Sequence, residues 1–232
     1  MADFNSPTYP YDRVIAANTL RGAENIPYQM LRYLMDLPDS SGYIPADDNE
    51  RPRVRLAKYL FHDGPNPLGK RLPTPEEKLS LLFDPAHPAL ETDELRAKHP
   101  KGYRLFFQKI IGQSQTEAET RIRCYIGKIM SRSARDYFID TIGIHFEISV
   151  NVNLETNTRT NAYQRSFDME QCIREALGGV NMAGIGTISF SRTDHPDNGS
   201  GILYDEATNV GRWICCSVNW ADGGQAEQTL CP

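Results

Sequence analysis

The chain has 232 residues, 40% hydrophobic and 24% charged, with a formal net charge of −5 and a pI near 5.6. That length buries a core without metals or disulfides, and the acidic balance excludes strong non-specific attraction to DNA or anionic membrane. No apolar run approaches the ~18 residues of a membrane span, and the opening Met-Ala-Asp-Phe-Asn lacks the basic and apolar stretches of a signal peptide, so neither is expected.

The chain changes texture near residue 100. Residues 1–100 read as a loop-rich N-terminal extension with short helices, 101–222 as an α+β core and 223–232 as a flexible tail. In the first part, Asn25 is placed to cap a short helix running to Leu37, with Pro27 in its first turn and Ile26, Met30, Leu31 and Leu34 as its apolar stripe. Pro38 stops it. Residues 38–53 read as loop. Val54 to Phe61 fits strand or helix. Asp63-Gly64-Pro65-Asn66-Pro67 is turn chemistry. Thr74-Pro75-Glu76-Glu77 is a helix start with a capping box, and a further short helix is expected over Ala89 to Lys98.

After residue 100 the periodicity is strong. Tyr103 to Ile111 reads as a strand. In Glu119 to Ile129, Arg121, Arg123 and Tyr125 alternate with Ile122, Cys124 and Ile126. From Ile142 to Leu154 apolar residues hold every second position, which specifies a long strand with one buried face. Asn161 to Leu177 has a helical face of Tyr163, Phe167, Ile173 and Leu177 and ends at Gly178-Gly179. Ile185 to Phe190 is a strand, Arg192 to Asn209 a polar loop, and Val210 to Trp220 the last strand. The order β-β-β-α-β-β predicts an α+β fold with an antiparallel β-sheet, a β-α-β-β core and a long N-terminal loop and helix region.

The search for chemistry yields no catalytic, cofactor-binding or metal-binding set. Gly184-Ile185-Gly186 is too short for a phosphate loop and leads into a strand. The five histidines form no H-x-x-x-H pair, and Asp194-His195-Pro196-Asp197 reads as a turn before it reads as metal ligands. The five cysteines are odd in number and contain no C-x-x-C, which suits reduced thiols in a cytosol. Cys124 and Cys172 fall at apolar positions and read as buried. His145 reads as a solvated or interface histidine on the polar face of its strand. Arg51, Arg53, Arg55 and Lys58 form a basic cluster beside Asp47-Asp48-Glu50, read first as a solvated face. Arg51, Arg53, Arg55, His195 and Asp197 are the candidate protein-contact residues. The loops at 38–53, 62–74 and 192–209 are the candidate contact segments, and deleting 196–203 is expected to spare folding and impair assembly.

A polar chain with a strong sheet and long loops suggests an interface protein. The strand Ile142–Leu154, the helix Asn161–Leu177 and the strands Ile185–Phe190 and Val210–Trp220 resemble the β-α-β-β core of tail-terminator proteins of tailed bacteriophages. Further pieces are Ile26-Pro27-Tyr28, Arg123-Cys124-Tyr125-Ile126-Gly127-Lys128-Ile129, and Ala176-Leu177-Gly178-Gly179-Val180 before Gly184-Ile185-Gly186; their texture is similar to neck and tail-completion subunits. The resemblance covers about residues 100–220. It implies a structural, non-catalytic virion subunit without cofactor, made in the bacterial host cytoplasm. Its partners would be copies of itself in a ring, commonly a hexamer, with the tail tube, sheath and head connector, and no membrane. Six chains at −5 carry about −30, so DNA would pass an acidic lumen without specific binding. Two other readings stand beside it: another virion part (head completion, baseplate or minor capsid), and an enzyme using Asp194, His195 or Cys124.

Overall fold

The structure is a computed structural model that describes residues 22–35, 49–109, 118–131, 140–155, 164–182, 185–205 and 208–220. The expected Pro38 stop, most of the 38–53 loop, Tyr163, Gly184, Cys231 and the 223–232 tail lie outside those residues. Within them are helices α1 (Ile26–Met35), α2 (Pro52–Phe61), α3 (Pro75–Leu79), α4 (Asp93–Lys98), α5 (Val152–Glu155) and α6 (Arg165–Leu177). The strands are β1 (Leu105–Phe106), β2 (Thr120–Ser131), β3 (Asp140–Asn151), β4 (Asn181–Met182), β5 (Gly186–Ser189), β6 (Gly199–Asp205) and β7 (Asn209–Trp220). The fold is α+β, as its strand and helix order predicts.

The sheet runs β1-β2-β3-β7-β5-β4, with β6 also paired to β7. All pairs are antiparallel except β1 with β2. β3 takes one edge of β7 along its length. On the other edge, β5 pairs with Ser217 and Val218, and β6 with residues 210–215. Register fixes the faces. Cys124 lies opposite Phe146, Phe146 opposite Ile214, and Ile144 opposite Cys216, all fully buried. These side chains meet Met30, Leu31 and Leu34 of α1, Leu56 and Leu60 of α2, and Met169, Cys172 and Ile173 of α6 in one hydrophobic cluster. The helices on both sides of residue 100 therefore share one core with the sheet.

Several boundaries differ from expectation. Asn25 does not cap α1: it ends a 3-10 turn, Ala23–Asn25, that runs directly into the helix. Val54–Phe61 is helix, begun by Pro52, whose missing N–H costs nothing in the first turn. At α3 the Thr74 hydroxyl accepts from the Glu77 N–H, and the Glu77 carboxylate accepts from the Thr74 N–H, completing the capping box. The helix expected from Ala89 starts only at Asp93, where the Thr92 hydroxyl accepts from the Leu95 N–H. β1 is two residues long, held between Leu81 on one side and β2 on the other. β3 stops at Asn151 because its partner β7 begins opposite it, at Asn209. The Asn151 side chain then accepts from the Asn153 N–H, and the helical turn α5 still brings Leu154 into the core.

The largest difference is β6, which occupies the expected polar loop 192–209. Gly199 and Gly201 argue against a strand by propensity. Here Gly201 makes room: a Cβ there would lie 2.9 Å from the Trp213 indole nitrogen across the ladder.

Candidate assembly surface

Two of the three arginine candidates prove structural. Arg53 donates to the Tyr33 carbonyl, with its guanidinium 4.3 Å above the Tyr33 ring, and so ties α2 to α1. Arg55 forms an ion pair with the buried Asp168 on α6, whose other oxygen accepts from the Tyr59 hydroxyl at 2.6 Å. Arg51 is exposed at the start of α2.

His195 is fully buried, so it is not a contact residue within the folded chain; Asp197 is half-buried. Asp194-His195-Pro196-Asp197 forms a turn in which the Asp197 N–H donates to His195 Nδ1 at 3.2 Å. The Asn198 amide then donates to the carbonyls of Ser189 and Ser191 and to the Ser217 hydroxyl, pinning the loop onto the sheet face away from the helices. Deleting 196–203 would remove this buried Asn198 together with five of the seven residues of β6, which weighs against the expectation that it spares folding. The arginines and His195 sit on opposite faces of the sheet and do not converge.

The cysteines and His145 are individually constrained. Burial drives the Cys124 thiol well above its usual range and raises Cys172 to about 12. Cys215, beside the Asn198 side-chain oxygen at 3.8 Å, is likewise pushed up to about 12 by burial and by Asp197. Thiolates are the reactive form, and these sites suppress them. His145 is half-buried; burial lowers its pKa, with the neighbouring Asp197 and Glu147 opposing. Its ring stacks on Tyr125 at 5.6 Å and fills the space beside Gly127, where β2 bulges. Tyr125 donates to Glu147 at 2.6 Å, and Arg123 pairs with the same carboxylate. Among the described residues, no group of three or more His, Cys, Asp or Glu side chains is arranged to hold a metal ion, and no helix is long and apolar enough to cross a membrane.

Two surfaces stand out, the first inside the expected contact segment 192–209 and the second not foreseen from the sequence. The first is the edge of β6. Ile202 is 65% exposed and Leu203 43%, in a strand that pairs only with β7 among the described residues. Ile202 lies opposite Arg212, and the register slips between Ile202 and Tyr204, so Leu203 is the extra residue of a bulge. The signal available was two adjacent large apolar residues inside an otherwise polar segment. The second surface is a groove of about 490 Å³ lined by Tyr28, Arg32, Leu79, Phe83, His99 and Phe107, among others. In its aromatic wall Tyr28 meets Phe107 edge to face at 5.5 Å, and Phe83 lies tilted against Phe107 at 6.1 Å.

A family model described as YomW matches residues 54–200. No curated protein matches the chain.

Proposed function

The chain belongs to the YomW family, a phage-related family whose name derives from a Bacillus phage, and from that premise we propose that it is a structural virion subunit, a tail-terminator or neck-ring protein joining the phage tail to the head connector. The observation that carries this reading is the exposed Ile202–Leu203 pair on β6, a strand that pairs only with β7 among the described residues. An edge strand with unpaired backbone and adjacent large apolar side chains is a liability in a solitary protein, and the same arrangement suits a chain whose edge is covered by a partner. The sheet, backed by one helical layer, gives that edge a rigid base.

In this role the subunit forms a closed ring, a hexamer by the resemblance, which seats on the tail tube or sheath and meets the connector. DNA passes through its lumen without specific contacts, helped by the net charge of −5 on each chain. The test is to weigh the purified protein by mass photometry, image it by negative stain, and mix it with isolated phage tails. Closed rings, or binding at the head-proximal end of tails, are expected. Binding confined to capsids or baseplates would overturn the terminator assignment, and a monomer that binds no virion part would overturn the structural role.

A further inference from the structure

Among the described residues, four large apolar side chains stand exposed: Leu79, Ile129, Ile202 and Leu203. Two of them project from β6. A third, Leu79, lines the aromatic groove. The groove sits beside β1, since Leu82, another lining residue, bridges to Leu105 and Phe107 follows β1 directly. In the sheet order, β1 is the last strand at one end, and β6 lies beyond β7 toward the other. An apolar knob and an apolar groove thus occupy opposite ends of one sheet.

We propose that the groove receives the Ile202–Leu203 knob of a second copy of this chain, so that subunits join head to tail. This rests on the ring reading and names its lateral contact. The occupant follows from three features. The groove is concave and walled by Tyr28, Phe83 and Phe107, a lining that accepts branched aliphatic side chains. The knob needs such a receptor, because the bulge at Leu203 re-aims the strand and disfavours a simple edge-to-edge pairing of two β6 strands. Finally, a knob and a groove at different places on one chain make a heterologous contact, the kind that generates a ring when the rotation closes, whereas a β6-to-β6 contact would stop at a dimer. The exposed Arg32 and the Asp84 carboxylate lie at the groove and provide polar positions around its apolar floor.

Disulfide trapping tests the contact. Ile202→Cys and Leu79→Cys are made singly and together in the full chain carrying Cys231→Ser; both positions are exposed, and the four described native thiols are buried. Under oxidation the double variant is expected to give a ladder of linked species ending at one closed size, while each single variant stays monomeric on a denaturing gel. Efficient dimers from Ile202→Cys alone would show a β6-to-β6 contact and overturn the proposal. No ladder, with rings still visible in negative stain, would overturn this contact and leave the ring reading standing. No ladder, no rings and no binding to tails would remove both.

Discussion

The His195 imidazole occupies the space that a side chain at Gly143 would need: a Cβ there would come within 3.1 Å of His195 Cε1 and 3.0 Å of the Lys128 backbone oxygen. A side chain at position 143 would make His195 or the Lys128 carbonyl give way by a few tenths of an ångström. Gly143→Ala is therefore expected to destabilise the protein by about 1–3 kcal/mol, as overpacking of a tight interior does. The urea midpoint measures it. An unchanged midpoint would mean that the 191–198 turn shifts freely, against the buried Asn198 bonds that hold it.

The carboxylate of Asp168 is the buried joint between α2 and α6, shared by Arg55 and Tyr59. Its removal leaves the Arg55 guanidinium without its partner, so Asp168→Ala should cost about 3 kcal/mol. Tyr59→Phe removes one hydrogen bond and leaves the ion pair, so about 1–2 kcal/mol is expected. A double-mutant cycle between Arg55 and Tyr59 should show coupling through the shared carboxylate. Strict additivity would say that the two contacts act separately.

Much of this architecture was legible in the residues. The alternation of β2 and β3, the capping box at Thr74 and the end of α6 are local signals, and local signals fix local structure. Arg53, Arg55 and His195 show where that stops. Each has the composition of a contact residue, yet Arg53 and Arg55 bond to residues distant in the chain, Tyr33 and Asp168, and His195 is buried beside the sheet face at Gly143. Nothing local specifies such pairings. β6 was hidden for a related reason, since its glycines suit a loop until Trp213 is placed beside them. The groove joins Tyr28, Phe83 and Phe107, residues scattered over about eighty positions, and no periodicity links them.

Acid should weaken the fold in two stages. His62 and His145 have pKa values lowered from 6.5, by burial first. The unfolded chain then binds more protons than the folded one below 6.5, so their contribution is fully present above 6.5 and is lost as pH falls toward their folded values. Glu77 is held down to about 2 from 4.5, first by its bond to Arg71; its contribution is present above 4.5 and fades as pH falls toward 2. Unfolding free energy measured against pH should fall in both windows, and His145→Gln should flatten the first. A flat profile between pH 7 and 5 would contradict the burial of these rings.

Ile202 separates folding from assembly. Its side chain is 65% exposed, so Ile202→Asp should move stability by no more than about 0.5 kcal/mol. If its surface is instead covered in the working particle, the same change places a carboxylate in an apolar contact and should abolish rings or tail binding. Phe107→Ala behaves differently, because Phe107 packs edge to face on Tyr28 within the chain itself. It should weaken assembly and also lower the melting temperature. Parallel loss of stability and assembly in Ile202→Asp would place the residue in the fold, whereas an intact fold with lost assembly would place it in a contact between copies.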